Sequence, residues 1–273
     1  MKVRVGGAAI PGGVMMLHGN RAGVAILDTI GMVRSASFET VKNPVKIPVL
    51  RGVTSLGCSL VTMAKATGKV IGLKHSAGES VLPGILTAAG TLLAAGGVMA
   101  GYSFLWERLA ENMNPKTAGI LSGGCDLLVT AALLGVLAMS PAGKKIRAFH
   151  GAEHKTVHCT DLGIAPIPEN AKGQSRIHPR CGTSLAVGAL SAYALAEGLV
   201  LPFLPENLRD GAGLLMLCGA IGVAYEALMR GDKGFVAKVG GIVQRVTTAE
   251  PTEAQLEAAS AAVYACLYPD GRE

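Results

Sequence analysis

From Val81 to Trp106 the chain runs for 26 residues without a charge. At about 1.5 Å of rise per residue, a helix of that length reaches about 39 Å, enough to cross a hydrocarbon core of about 30 Å. Few other fates suit such a segment, because a helix in lipid satisfies its backbone hydrogen bonds internally and needs no cover for its apolar surface. Three more blocks follow the pattern: Thr117 to Ser140 holds Asp126 as its only charge, Gly182 to Leu204 only Glu197, and Gly211 to Met229 only Glu226, near its end. The composition agrees. Half of the 273 residues are hydrophobic, 16% are charged, and the mean hydropathy is +0.42, more apolar surface than a soluble domain of this size can cover. We therefore expect a predominantly α membrane protein with about four transmembrane helices and a small cytosolic α+β cap.

The net charge of +6 invites a nucleic-acid reading, but aromatics make up only 4% of the chain and no basic stripe alternates with stacking residues, so no nucleic-acid partner is expected. The charge reads instead as topology. Met1 to Ser80 carries ten Lys/Arg against three acids and Gly143 to Cys181 seven against three, whereas 107–116 and 205–210 hold two and one Lys/Arg. The positive-inside rule then places both termini and the central loop in the cytoplasm, with the chain in the cell (inner) membrane and lipid as its first partner. The resulting organisation is a Gly-rich cap with an amphipathic helix (1–80), two spans (81–142), a cytosolic His-rich loop (143–181), two spans (182–229) and a tail ending in a helix (230–273). The six cysteines lack framework spacing, which suits a reducing compartment. Met1 to Gly19 has no continuous apolar core, so no cleaved secretory signal is expected.

Within the cap, β-prone runs such as Ala22 to Leu27 alternate with glycines and predict short strands. Val49, Val53, Leu56, Leu60 and Met63 recur at helical spacing with Arg51, Lys65 and Lys69 beside them, which predicts an amphipathic helix on the membrane surface or on neighbouring protein. Thr252 is a candidate N-cap, with Glu253 and Glu257 near the positive end of a terminal helix that would dock through Leu256, Ala259, Val263 and Leu267. Small residues such as Ala94-Ala95-Gly96-Gly97 would let helix backbones approach closely in a bundle.

The polar chemistry gathers in the central loop. His150-Gly151-Ala152-Glu153-His154 is an H-x-x-E-H pattern. On a helix its histidines lie one turn apart on one face, where two imidazoles can hold zinc while the neighbouring Glu153 orients or deprotonates a water, as in inverted zinc proteases. A third ligand is needed. Glu226, 72 residues after His154, has the downstream spacing those proteases use, and an acid inside a span is a functional candidate by default. His178 and Cys181, in His178-Pro179-Arg180-Cys181, offer a second route, and with all four His/Cys ligands the site would be closed and structural rather than open and catalytic. Cys181 could also act as a thiolate nucleophile. Alternatively the segment only shapes the entry to the third span, with Arg180 on a headgroup phosphate and Thr183 as cap. His18, His75 and His158 are weaker ligand candidates, His158 because it is displaced from the shared helical face. Asp126 and Glu197, inside spans, suggest paired polar contacts or a proton path.

Phe149-His150-Gly151-Ala152-Glu153-His154-Lys155-Thr156, His178-Pro179-Arg180-Cys181-Gly182-Thr183-Ser184 and Tyr225-Glu226 resemble signature segments of the YqhQ-like family of polytopic membrane proteins. Gly6-Gly7-Ala8-Ala9, Gly13-Val14-Met15-Met16, Leu50-Arg51-Gly52 and Thr248-Ala249-Glu250-Pro251 extend the resemblance along nearly the whole chain. It implies a membrane domain of unknown function for which metal-dependent enzyme activity has been proposed, with His150, Glu153, His154, His178, Arg180, Cys181 and Glu226 as the residues carried over. Two positions depart from the pattern: Gly12 stands where an acid precedes Gly-Val-Met-Met, and Leu17 where an arginine follows it.

The functional expectation is a metal-dependent, hydrolase-like site at the cytosolic interface. In it His150 and His154 bind a divalent metal, zinc by preference, with Glu226, His178 or Cys181 completing the shell; Glu153 is the base, and Arg180 positions the substrate. That substrate would be a peptide, a lipid or another amphiphile. The rival reading is a non-enzymatic membrane scaffold or regulator whose cluster is structural. A transporter would need a homo-oligomer to supply enough spans.

Overall fold

In a computed structural model that describes residues 3–230 and 234–269, the Gly-rich N-terminal segment forms an antiparallel meander: β1 (Gly6–Ile10), β2 (Gly13–His18), β3 (Arg21–Leu27) and β4 (Val33–Glu39), in that spatial order. Gly12 and Gly19 turn the first two hairpins with φ of 85° and 60°, in the left-handed region where a side chain is strained. Side chains then alternate between two buried faces. Val14, Met16 and Ala25 join one apolar cluster, while Met15, Val24 and Ile26 join another. Burial on both sides explains why Gly13-Val14-Met15-Met16 reads as a continuous apolar run rather than an alternating one.

The second face is covered by α1 (Leu50–Ser76) through Ala66 and Val70. The predicted helix is there, but its buried face is Gly52, Thr62, Ala66 and Val70, not the Leu60 stripe. Small residues won because the helix packs closely: a Cβ on Gly52 would lie 2.8 Å from Cβ of Tyr225. Leu60 and Val61 are left exposed.

After α1 come α2 (Leu82–Ala110), α3 (Pro115–Met139), α4 (Pro141–Leu162), the short α5 (Pro168–Lys172), α6 (Gly182–Val200), α7 (Glu206–Met229), α8 (Phe235–Thr247) and α9 (Glu253–Leu267). Among the described residues, four stretches are long and apolar enough to cross a membrane: Leu82–Ala110, Thr117–Met139, Gly182–Phe203 and Asn207–Met229.

The segment expected as a His-rich loop is largely helical. α3 ends at Met139, and Pro141, with no N–H to continue the ladder, restarts the chain as α4 under a Ser140 side chain that accepts the Gly143 N–H. α4 ends at Gly163, φ 76°. It then packs on the first face of the sheet together with α9, which Thr252 and Gln255 cap reciprocally and which buries Leu256, Ala259 and Val263. The sheet thus lies between α1 on one side and α4 with α9 on the other, and α4 carries the polar motif into the centre of that packing.

Candidate metal and polar site

His150, His154, His158 and Asp161 recur on α4 at spacings of four, four and three, which keeps them along one side of a 3.6-residue helix. His158 stays on that stripe, although it was expected to leave the face: a four-residue step drifts only about 40°. Its ring centroid is 4.6 Å from that of His178. The segment after α5 brings Arg176 to Cys181 across the stripe and runs directly into α6.

The nitrogens of His150 and His154 are sorted by their partners. Nδ1 of His150 lies 3.0 Å from the Thr247 carbonyl oxygen, and Nδ1 of His154 lies 2.6 Å from that of Arg176. A carbonyl can only accept, so both Nδ1 atoms donate, which leaves both Nε2 atoms to face inward. Nε2 of His150 approaches Cys181 Sγ at 3.2 Å. Among the described residues, ligand atoms of His150, His154 and Cys181 lie within 4.8 Å of one another. Tetrahedral zinc with N and S ligands would hold such atoms about 3.3–3.6 Å apart, so the donor set fits a metal after a small contraction. Pinning Nδ1 to a carbonyl while Nε2 ligates is the usual outer support of a metal-bound histidine.

Glu153 sits beside this group, with Oε2 3.4 Å from Nε2 of His154. Burial pushes its carboxyl up to about 7, against the pull of His150 and Arg180 in the other direction. Its methylene chain lies under β1, where only a glycine fits: a Cβ on Gly7 would be 2.7 Å from Glu153 Cγ. Gly7 therefore makes room for the acid of the motif.

His178 takes a different part from the one expected. Its Nε2 is 3.1 Å from Asp161 Oδ2, and its Nδ1 accepts the Arg180 backbone N–H at 3.2 Å, so neither nitrogen is turned to the His150–His154–Cys181 group. Burial pushes its pKa down to about 4, only partly offset by Asp161, so the imidazole is neutral near pH 7. Asp161 is held below the usual carboxylate range: burial alone would raise it, but hydrogen bonds from His178 and Arg180 and the guanidinium charge prevail. Arg180 donates from one terminal nitrogen to both Asp161 oxygens at 2.7 Å.

Glu226 is elsewhere as well. It receives Nε of Arg51 at 2.7 Å and a second guanidinium nitrogen at 2.5 Å, locking the start of α1 to α7, where a Cβ on Gly222 would overlap Val49. A spacing along the chain says nothing about which way a helix faces, and this acid faces α1.

Besides Asp161, two residues that hold the site had no sequence signal strong enough to find them. Gln244 of α8 is fully buried and clamps His178 by its backbone, accepting its N–H at 2.8 Å and donating to its carbonyl at 3.0 Å, with a further bond to Ser184 Oγ. Arg176 donates to both the carbonyl and the hydroxyl of Thr248 at 2.8 Å. The segment 248–251 then lies along α4: Glu250 pairs with the buried Lys155 at 3.0 Å, and the Ala249 carbonyl presses so closely on Gly151 that no side chain fits there.

The profile of a family described as "Protein of unknown function (DUF1385)" matches residues 47–268. The chain is also 27% identical to "Uncharacterized protein YqhQ" of Bacillus subtilis (strain 168), over 93% of this chain and 89% of that protein. No solved structure matches it.

Proposed function

The chain belongs to the DUF1385 family of proteins of unknown function, and from the chemistry of its own site we propose a metal-dependent, hydrolase-like enzyme set at a membrane surface. The observation that carries this reading is the convergence of His150, His154 and Cys181 ligand atoms within 4.8 Å, with the buried Glu153 alongside. Two imidazoles and a thiol favour zinc among the divalent metals, and three protein ligands leave a fourth position open. When bound, such a metal polarises a water molecule and the oxygen of a carbonyl or phosphoryl group.

The chain's own residues supply the rest. Glu153, with a pKa near neutrality, can take a proton and return it within one cycle, which a carboxyl at its ordinary value does poorly at pH 7. Arg180 offers positive charge to a substrate oxygen, and Asp161 and Gln244 hold the segment that carries it. Four membrane-length helices and the basic bias of the cap and of 143–181 support a cytoplasmic site in the cell membrane, which a peptide, a lipid or another amphiphile would reach from the bilayer.

The test is elemental analysis of tag-free protein purified in detergent, wild type beside His150→Ala, His154→Ala and Cys181→Ser. About one equivalent of transition metal, lost in each variant, is the expected result. Wild-type protein that neither contains nor takes up metal rejects the proposal. Glu153→Gln should keep the metal and lose turnover.

A further inference from the structure

A cavity of about 500 Å³ opens on the flank of the histidine cluster, lined by Val3, Arg4, Thr160, Asp161 and Arg180. That volume is in the range of small-ligand sites. We infer that this cavity is a phosphate-binding subsite, so that the substrate of the proposed hydrolase carries a phosphate group; the inference rests on that reading for its link to chemistry, but the binding itself does not.

Arg180 is the first reason. It spends one terminal nitrogen on both oxygens of Asp161, which leaves three of its five N–H donors, on Nε and the other terminal nitrogen, without a protein acceptor among the described residues. Its side chain is 31% exposed, so these donors face accessible space. Arg4 arrives from a distant part of the chain, just before β1, and forms no ion pair among the described residues. Asp161 is already answered by the Arg180 guanidinium and the His178 ring, so the lining leaves one unbalanced positive charge. Two arginines lining one cavity suit an anion with several oxygens arranged tetrahedrally better than a single planar carboxylate.

Position is the second reason. Arg180 immediately precedes the ligand Cys181 and stands two residues before the membrane-length stretch that starts at Gly182. With that helix in a bilayer, the cavity lies at headgroup depth and beside the reacting cluster, since the Asp161-bound ring of His178 is 5.8 Å from that of His154. The phosphate could belong to an amphiphile's headgroup or to a soluble phosphate ester, and the experiment separates them.

The full chain in neutral maltoside detergent is titrated calorimetrically with three probes: dihexanoyl phosphatidate, dihexanoyl glycerol with the same acyl chains and no phosphate, and inorganic phosphate. Phosphatidate should bind, with dihexanoyl glycerol at least tenfold weaker. Inorganic phosphate that binds comparably and competes identifies a soluble source, and phosphate that does not identifies an amphiphile; either supports the subsite. Arg4→Gln and Arg180→Gln should each weaken phosphatidate about tenfold, the loss expected of a charge-assisted hydrogen bond. Arg4 is exposed, so its variant keeps the fold even if Arg180→Gln does not. Wild-type protein blind to both phosphate probes, or Arg4→Gln with undiminished affinity, overturns the inference. Metal content measured on the same samples keeps the two proposals apart: phosphate binding without metal removes only the hydrolase reading, and metal without phosphate binding removes only the subsite.

Discussion

The sheet with its covering helices and the pair α2 and α3 obey different rules. In the first, Met16, Ile26, Val263 and His154 are fully buried, and backbones approach so closely that Gly23 and Gly151 admit no side chain. Among the described residues, nothing in the most apolar stretch of α2 is buried, and in α3 only 7%, against 22% in α6 and α7. Leu92 and Leu93 stand 73% and 78% exposed. An aqueous surface would not leave such a stripe open, whereas lipid is as apolar as leucine and gives these helices no hydrophobic reason to cover themselves. The cap is held by packing, whereas the long apolar helices leave their surfaces uncovered, as lipid would allow. α6 and α7 lie between the two regimes because they also carry α8 and the start of α1.

The glycines give the sharpest way to break this comparison. Gly151→Val drives a side chain into the Ala249 carbonyl and should cost about 3 kcal/mol or more, seen as loss of monodisperse protein in detergent. Gly96, in α2, has nothing within 4 Å of its Cβ position, so Gly96→Val should leave stability nearly unchanged. Equal damage at both positions would mean that α2 is packed as tightly as the cap.

Exposure offers the reverse test. Leu93→Arg on a water-facing helix should be close to neutral, but at the centre of a span it should cost about 2.5–3.5 kcal/mol of insertion free energy. Glycosylation-site mapping of the segment 107–116 in a microsomal insertion assay reads the difference, and undiminished translocation of that segment would argue against lipid exposure at this position.

A smaller effect separates the site from both regions. His178 has its folded pKa lowered from 6.5 to about 4, so between those values the unfolded chain binds more protons than the folded one. The stability it contributes is fully present above pH 6.5 and is lost as pH falls toward 4. Asp161, also lowered, adds to the loss below its ordinary value of 3.8. Glu153, raised to about 7, gains stability over the same window, so the prediction is read as a difference: wild-type chelator-treated protein should lose melting temperature relative to His178→Gln as pH falls from 7 to 4. A difference between wild type and His178→Gln that stays constant across this window would mean that His178 is not buried as a neutral ring.

The two regimes also differ in what the sequence discloses. A bilayer constrains each segment by itself, so four charge-poor blocks were enough to anticipate α2, α3, α6 and α7 as long apolar helices. Thr252 as an N-cap was legible for the same local reason, whereas its reciprocal partner Gln255 was not singled out. In the site, His150, Glu153 and His154 were legible because a one-turn repeat puts them on one helix face, and Cys181 because it joined a second polar motif. Glu226 misled because chain spacing carries no direction, and its partner Arg51 lies 175 residues away. Asp161, Gln244 and Arg176 stayed hidden because an acid, an amide and a base in polar or amphipathic segments have no pattern of their own. Only the meeting of α4, α8 and the segment before α6 gives them their roles.

The central claim is that His150, His154 and Cys181 form one metal site, and cobalt substitution tests it most directly. Chelator-treated protein loaded with one equivalent of Co²⁺ should show a thiolate-to-cobalt charge-transfer band in the near ultraviolet, together with the visible bands of a four-coordinate ion. Cys181→Ser should remove the first and weaken binding, and His154→Ala should lower affinity without abolishing the thiolate band at saturating cobalt. A wild-type spectrum without thiolate character, or one unchanged in Cys181→Ser, would contradict the site as built here.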